Sequence, residues 1–170
     1  MSKLSSQAAL DVVTLGEAMA MFVACETGPL EEVTQFTRQV AGAELNVAIG
    51  LSRLGLKVGW ASRVGDDVFG RFVLKQLEKE RINASQVTVD DHYATGFQLK
   101  SKETGGCDPR VEYFRKNSAA SHLSVADFNP AYFCAARHLH LSGVAAALSD
   151  TSRELSKLAA KEMRKAGRSI

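Results

Sequence analysis

The sequence predicts an α/β fold, with a mostly parallel sheet flanked by helices and a second, smaller sheet beside it. Two observations lead to this prediction. Short buried strands alternate with amphipathic helices along the chain, and a separate set of segments alternates apolar and polar residues, as strands with one solvated face do. With 170 residues, the chain is long enough to form one domain with its own hydrophobic core.

Three buried strands are predicted for the main sheet: a short β-branched and apolar run that ends in glycine at 12–16, and further strands at 56–63 and 138–141. Helices are predicted at 40–55, 67–81 and 150–166, where apolar residues recur at helical spacing. Asp66 or Asp67 can cap the second helix, and Gly167 ends the third. This alternation of strand and helix is typical of parallel strands joined by helical crossovers.

The smaller sheet is predicted from alternating segments at about 18–24, 31–41 and 93–117. The last of these contains a hairpin with a polar tip at 103–106. Because apolar and polar residues alternate, each strand should bury one face and leave the other open. These segments do not fit a sheet that is buried on both faces, so we assign them to a second sheet.

Composition and charge exclude several function classes. The residues are 45% hydrophobic and 24% charged, with a net charge of +2, so we expect no nucleic-acid partner and no attraction to an anionic membrane. No apolar run is long enough to span a bilayer, and the first residues lack the apolar core of a signal peptide. The three scattered cysteines suggest reduced thiols and a cytoplasmic location, and we predict no metal site.

The helix at 40–55 is apolar nearly all round, yet its first turn carries Glu44 and Asn46. An apolar helix should be buried, and a buried amide needs hydrogen-bond partners. Gly42 precedes the helix and allows another group to come close, and the first turn offers free N–H donors. Two interpretations stay open: Asn46 binds a polar, hydroxyl-rich ligand, or it caps or braces a neighbouring loop.

The common nucleotide-binding motifs are missing. No Gly-x-Gly-x-x-Gly follows the first strand, which disfavours a nicotinamide oxidoreductase. The segment 65–71 has glycine spacing like that of a P-loop but lacks the Lys-Ser/Thr ending, and its two aspartates would repel phosphate. We therefore interpret it as a turn that caps a helix.

The spacing of Asn46, Ala48, Gly55 and Gly65 resembles the first signature of the ribokinase (pfkB-type) family of sugar kinases. The turn at 65–70 follows that signature, as it does in the family. The segments AGAELNVAIGLSRLG, VEYFRKNSAAS and LHLSGVAAALS are similar to those of its 2-keto-3-deoxygluconate kinase branch. The resemblance extends from about Val12 to the last residue.

This resemblance implies a Rossmann-like α/β domain whose small β-sheet forms a lid over a sugar. It implies transfer of the γ-phosphoryl group of ATP, with Mg²⁺, to a sugar hydroxyl, and such chemistry depends mainly on positioning and charge stabilisation. It also implies a homodimer or larger homo-oligomer that assembles through the lid.

Carried over by position, the resemblance places Gly42, Ala43 and Asn46 in the sugar pocket, where they bind hydroxyl groups. Glu44 lies in the same turn, and we predict a structural role for it because a free carboxylate would repel an acidic sugar. The usual Gly-Gly pair before this helix is Ala41-Gly42 in this chain.

Tyr113 and Arg115 match the lid residues that hold a sugar acid in the resembled kinases. They are two residues apart on one strand and should face the same side, and arginine suits bidentate carboxylate binding. Without the resemblance, an exposed strand charge is the favoured interpretation of Arg115.

In the resembled kinases a tyrosine is often found in the first strand of the hairpin; here Gln98 takes its place, or the aromatic residue has shifted to Phe97, and we predict that Gln98 binds the substrate. Ala20 and Met21 stand where ribokinases have an acid that binds a sugar hydroxyl. These changes argue against ribose and leave the sugar undetermined.

We expect residues 1–170 to be the N-terminal part of one ribokinase-like domain, truncated before its end. The segment 168–170 follows a helix end, where the next buried strand should begin. The family's catalytic aspartate belongs to a C-terminal Gly-Ala-Gly-Asp motif, and neither this motif nor the ATP-binding segment occurs here. We therefore place the catalytic residues beyond residue 170 and expect the chain alone to be inactive.

The sequence thus predicts a kinase acting on 2-keto-3-deoxygluconate or a similar sugar acid. Fructokinase, or another ribokinase relative, is the alternative within the enzyme class. A non-catalytic sugar-binding or dimerising module is the alternative outside it.

Overall fold

The computed structural model describes residues 10–170, which form two β-sheets and five α-helices. In chain order the strands are β1 (Val12–Leu15), β2 (Met19–Ala24), β3 (Phe36–Ala41), β4 (Val58–Gly65), β5 (Asn83–Asp90), β6 (Phe97–Lys100), β7 (Val111–Phe114) and β8 (His138–His140). The α-helices are α1 (Ala43–Arg53), α2 (Val68–Lys79), α3 (Pro130–Phe133), α4 (Gly143–Leu148) and α5 (Asp150–Lys165), with 3₁₀ turns at Ala119–His122 and Val125–Asp127.

Sheet A is fully parallel, with strand order β5-β4-β1-β8. Thr14 of β1 pairs with Trp60 of β4 on one side and with His140 of β8 on the other. Beyond β8, an isolated parallel bridge joins His138 to Ser169, so the chain after α5 runs alongside the sheet. The predicted parallel α/β sheet is confirmed.

Helices cover both faces of sheet A. On one face, Trp60, Val64 and other strand residues pack against α1 and α2. On the other face, Val13, Leu15 and Leu139 pack with residues of α3, α4 and α5. Fully buried aliphatic and aromatic side chains on both faces explain why the strands read as short apolar runs.

Helix α1 is only partly buried, so the prediction of an apolar helix buried all round is wrong. Its fully covered residues are Glu44, Leu45 and Ala48. Leu54 is 81% exposed because it caps the C-terminus of α1, where the chain turns away through Gly55 at φ 90°. A count of apolar residues does not reveal which flank of a helix the neighbouring elements cover.

Strand β5 was not predicted, because its sequence NASQVTVD is largely polar. It lies at the edge of sheet A and pairs only with β4 in the part of the chain that the structure describes. Its last residue, Asp90, is buried, accepts hydrogen bonds from the N–H groups of His92 and Tyr93, and forms an ion pair with Arg63. Arg63 also binds Asp127, so it ties β5 to the segment that follows β7.

Sheet B has strand order β3-β2-β6-β7, and its strands fall within the three segments that alternate in sequence. The β2–β3 and β6–β7 pairs are antiparallel, while β2 and β6 run parallel. One face carries Phe22 and Phe97, whose rings contact Phe69 of α2. The opposite face carries Met21, Gln98 and Tyr113 in one row across three strands. The predicted second sheet is therefore confirmed.

No helix in residues 10–170 is both long and apolar enough to cross a bilayer.

Candidate functional site

Two parallel strands of sheet A, β1 and β8, end beside each other, and polar residues follow both. Gly16 and Glu17 come directly after β1, and Ser142 begins α4 shortly after β8. Ligands of open α/β sheets bind outside the carboxyl ends of the strands, so this edge is where a site should form.

Glu17 is buried, with 4% of its surface exposed, and its two carboxylate oxygens have different partners. The Ser118 hydroxyl donates a hydrogen bond to Oε1. Nη2 of Arg115 lies 2.6 Å from Oε2 and forms an ion pair with it. Burial raises the pKa of the Glu17 carboxyl above its usual range, and nearby Glu44 adds to the rise, whereas Ser118 and Arg115 act against it. Glu17 is thus a buried acid only partly compensated by its neighbours.

Glu44 is the second buried acid of this edge, and it joins α1 to the start of α4. Its Oε1 accepts hydrogen bonds from the Ser142 hydroxyl and from the Ala145 N–H, the latter at 3.2 Å. Its side chain also lies against Gly16, where a Cβ would collide with the carboxylate. These contacts agree with the structural role expected for Glu44.

Gly42 is the N-cap of α1 and lies against the backbone of the segment after β1. A Cβ on Gly42 would collide with the carbonyl oxygen of Glu17 and would approach the Cα of Ala18 to 3.4 Å. Its φ of 161° is ordinary extended backbone, so space rather than conformation requires glycine here. The close approach expected at this position is therefore made by the Glu17 backbone.

Tyr113 and Arg115 line one wall of a cleft with a volume of about 990 Å³. The opposite wall consists of α4 residues, including Gly143 and Val144, and the first residues of α5. The centre of the Arg115 guanidinium lies 5.9 Å from the centre of the Tyr113 ring, and 25% of the Arg115 side chain is exposed. A cleft of this size with a few polar groups is typical of small-molecule sites.

Gln98 does not line this cleft, but it is the direct cross-strand partner of Tyr113. Its side chain is buried, with 6% of the residue exposed, whereas Tyr113 is 57% exposed. The two residues lie on the same face of sheet B, so Gln98 is positioned to support the tyrosine.

Asn46 is exposed, so the prediction that it is a buried amide is wrong. No hydrogen bond joins its side chain to residues 10–170, which also removes the interpretation that it braces a loop within that range. The physical reason is that α1 is covered on one side only: Glu44 and Leu45 of its first turn are buried, whereas Asn46 lies on the uncovered side. Ala43 is exposed in the same turn, and neither residue lines the cleft. The side chain of Asn46 is therefore free to contact a ligand.

Sequence reasoning missed Glu17, Ser118 and Ser142, which organise the edge. A signal was present for Glu17, because an acid directly after a buried parallel strand lies at the edge where ligands bind. Ser118 had no such signal, since it meets Glu17 across 101 residues of sequence.

The residues that the structure describes offer no set of three or more His, Cys, Asp or Glu side chains that could hold a metal ion. The two buried acids at the strand ends, Glu17 and Glu44, are already engaged by Arg115, Ser118 and Ser142. These residues therefore do not fit Mg²⁺, and we derive no step through it.

An α/β domain with a small second sheet, and a cleft between the end of β7 and helices α4 and α5, is the arrangement that the resemblance to sugar kinases implies. Comparison with known proteins agrees: residues 9–169 match the pfkB family of carbohydrate kinases. The chain belongs to this family, and the resemblance seen in its sequence is confirmed.

Curated sequence relatives and solved structures are similar to this chain along most of its length. It is 49% identical to the 2-dehydro-3-deoxygluconokinase of Bacillus subtilis strain 168, over 95% of this chain and 50% of that protein. A pfkB protein structure from Polaromonas sp. JS666 superimposes with a TM-score of 0.93 at 53% identity, covering 95% of this chain and 54% of the other.

A third similar structure, the sugar kinase PH1459 of Pyrococcus horikoshii, was solved in complex with ATP. It shares 27% identity and a TM-score of 0.80, covering 89% of this chain and 49% of that one. The chain spans about half the length of the curated relatives it matches.

Proposed function

We propose that this chain forms the sugar-binding part of an ATP-dependent kinase that phosphorylates 2-keto-3-deoxygluconate or a closely similar sugar acid. Membership of the pfkB family supports the reaction class. The 49% identity to a 2-dehydro-3-deoxygluconokinase, which is named for the same sugar acid, supports the substrate. The observation that carries the proposal is the position of Arg115 in the cleft beside Tyr113.

A sugar acid differs from a neutral sugar by its carboxylate, and the cleft contains a group suited to it. Arg115 pairs with Glu17 through Nη2, and no hydrogen bond or ion pair joins its Nη1 to residues 10–170. A guanidinium can hold a carboxylate through two parallel N–H donors, which gives both affinity and orientation. Tyr113 adds a hydroxyl and an apolar ring beside it. We therefore assign the substrate carboxylate to Arg115 and Tyr113.

The remaining sugar contacts in the proposal come from the first turn of α1 and from sheet B. Asn46 is exposed and can both donate to and accept from a hydroxyl, and Gly42 and Ala43 offer backbone groups beside it. Gln98 lies beside Tyr113 on the neighbouring strand, and the proposal gives it the role of supporting the tyrosine from there. Sheet B then acts as a lid over the bound sugar.

The proposal assigns Mg-ATP, and the catalytic base that takes the proton from the sugar hydroxyl, mainly to residues beyond Ile170. ATP would supply the γ-phosphoryl group, while the residues of this chain bind and orient the acceptor. The chain of 170 residues is accordingly expected to bind sugar acid without turning it over. ATP-dependent turnover by the purified chain alone would contradict this part of the proposal.

The deciding experiment is an ADP-release assay on the product of the full gene, with Mg-ATP and 2-keto-3-deoxygluconate, fructose or ribose. We expect turnover that is selective for the keto-deoxy acid. Turnover of fructose alone would be consistent with the kinase family but would show that the proposed substrate is wrong. Absence of turnover with all three sugars would favour either another sugar acid as the substrate or the non-catalytic sugar-binding module. Binding of a sugar acid without ATP consumption would identify the module.

We further propose that two copies of the protein assemble through sheet B. Phe114 of β7 is 46% exposed there, and exposed aromatic residues are common at interfaces. Light scattering coupled to size exclusion tests this on the full-length protein, with Phe114→Asp as the variant. A monomeric variant would support assembly through sheet B, and a monomeric wild type would contradict it.

A further inference from the structure

Glu17 contacts both of the elements from which the proposed sugar pocket is built. Its backbone carbonyl lies against Gly42 at the start of α1, and its carboxylate pairs with Arg115 at the end of β7. Glu17 therefore links the first turn of α1, which is proposed to bind sugar hydroxyls, to the Arg115 guanidinium, which is proposed to bind the carboxylate.

The Glu17–Arg115 pair is held on several sides. The Ser118 hydroxyl fixes Oε1 of Glu17, leaving Oε2 for the guanidinium. Gly96, just before β6, closes over the pair, because a Cβ there would lie 3.0 Å from Oε1 of Glu17 and 3.2 Å from the Cβ of Arg115. The N–H of Ala20 in turn binds the carbonyl of Gly96 at 3.2 Å. A long arginine side chain, otherwise free to adopt many rotamers, is thus limited to a small region.

Arg115 is not saturated by this arrangement. The ion pair uses Nη2, and the buried Nε has no hydrogen-bond partner among residues 10–170. A guanidinium has five N–H donors, so one edge can be held by the protein while another edge binds a ligand. The side chain is also 25% exposed, on the wall of the cleft.

We propose that Glu17 is a positioning residue for substrate binding: it anchors one edge of Arg115 so that another edge is presented to the carboxylate of the sugar acid. This inference rests on the proposed function. Glu17 contacts no reacting atom, so its effect is on the affinity for acidic sugars. A pre-positioned guanidinium binds more tightly because less side-chain freedom is lost when the ligand arrives.

The kinetic test compares wild type, Glu17→Gln and Glu17→Ala in the full-length protein. For the sugar acid we expect KM to rise about 5- to 30-fold in Glu17→Ala, which corresponds to the loss of one oriented charge-assisted contact. Glu17→Gln keeps an acceptor oxygen and should recover part of this loss. We expect kcat to change less than about twofold.

A neutral ketose that is a poor substrate serves as the internal control, because it makes no carboxylate contact. Its KM should be nearly the same in all three proteins. An equal rise of KM for acid and neutral sugar would indicate a general structural role and would overturn the proposal. An unchanged KM for the sugar acid in both variants would overturn it as well.

A measurement without substrate separates this inference from the proposed function. Exchange of the Arg115 guanidinium protons with water can be followed by ¹⁵N NMR in the full-length protein, with Arg110 as an exposed reference on the same hairpin. We expect exchange at Arg115 to become at least about tenfold faster in Glu17→Gln, whereas Arg110 stays unchanged.

The two measurements fail independently. If the wild type does not phosphorylate sugar acids, the proposed function is wrong, and the exchange rates then decide whether Glu17 anchors Arg115. If the wild type is active but exchange at Arg115 is the same in Glu17→Gln, the positioning role is overturned and the proposed function stands.

Discussion

The carbonyl oxygen of Glu17 occupies the space in which a Cβ on Gly42 would lie. The contact joins the segment after β1 to the N-cap of α1, so the position of the helix depends on the absence of a side chain. Because the backbone at Gly42 is extended, any substitution that disturbs the protein here acts through this contact and not through backbone strain.

Gly42→Ala should therefore shift α1 relative to β1. We expect it to lower the free energy of unfolding by about 1–3 kcal/mol, the usual cost of forcing extra volume into a packed region. Denaturant unfolding of the chain measures this difference. The matched control is Gly50→Ala within α1, where an added Cβ meets no atom within 4 Å. That change should stabilise the protein by about 0.5–1 kcal/mol. Equal effects of the two substitutions would contradict the role of the contact.

The Asp67 side chain joins the start of α2 to the segment before β6, and this contact gives a second test. Its Oδ1 accepts hydrogen bonds from the N–H groups of Phe69 and Gly70 at 2.9 and 2.7 Å, which caps α2. Its Oδ2 accepts one from the Thr95 N–H at 2.7 Å, which fixes the start of the β6–β7 hairpin. Asp67→Ala should cost about 2–3 kcal/mol, since it removes a cap and leaves partly buried donors unpaired.

The neighbouring acid is the control for Asp67. Asp66 is 64% exposed and its ion pair with Arg71 is on the surface, so Asp66→Ala should change stability little. Urea denaturation of both variants tests the difference. Similar stability of Asp67→Ala and Asp66→Ala would show that the capping bonds contribute little.

The buried carboxyl of Glu17 should make stability depend on pH. Its pKa in the folded state is raised by burial above the ordinary value of 4.5. The unfolded state therefore releases this proton at lower pH than the folded state does. Stability linked to Glu17 is fully present below about pH 4.5 and is lost as pH rises through the folded pKa.

Glu17→Gln removes this linkage, because glutamine does not titrate. On going from pH 4 to pH 7, the unfolding free energy of the variant should therefore improve relative to that of the wild type. Unfolding curves recorded across that range measure the difference. If the difference in unfolding free energy between wild type and Glu17→Gln does not change with pH, or favours the wild type more as pH rises, the pKa of Glu17 is not raised.

Much of the fold was predictable because its strands and helices carry the burial pattern in their own residues. Strands β1 and β4 are largely buried and mostly apolar, β8 buries Leu139 between two histidines, and α2 and α5 bury one stripe each. Strand β5 escaped prediction because it lies at an edge and is polar. Local patterns report how a segment is buried on average, but an edge strand is held mainly by backbone pairing with its neighbour.

The candidate site was predictable in part. Tyr113 and Arg115 do line one cleft, and Gly42 does allow a close approach. Asn46 was misplaced because apolar spacing does not tell which side of a helix its neighbours cover. The pairing of Glu17 with Arg115 joins the segment between β1 and β2 to the segment after β7, and no local spacing encodes such a meeting. Polar contacts of this kind depend on the tertiary fold.

Selectivity for acidic sugars gives the most direct test of Arg115. Arg115→Ala in the full-length protein should weaken binding of sugar acids by roughly 10- to 150-fold, since a charge-assisted contact is worth about 1.5–3 kcal/mol. Neutral sugars should be affected much less. Arg115→Lys keeps the charge but loses the planar fork of donors, so it should fall between wild type and alanine.

Arg110→Ala is the matched control for Arg115→Ala, because it removes the same charge from the same hairpin at an exposed position outside the cleft. It should leave both classes of sugar unaffected. Titration calorimetry with 2-keto-3-deoxygluconate and with fructose measures both affinities for the wild type and for each variant. If Arg115→Ala lowers the affinity for acidic and neutral sugars equally, Arg115 does not bind the substrate carboxylate. A lower affinity for the acid in Arg110→Ala would indicate that net charge alone attracts it. Selective loss in Arg115→Ala, together with partial recovery in lysine, is the result that a specific guanidinium–carboxylate contact requires.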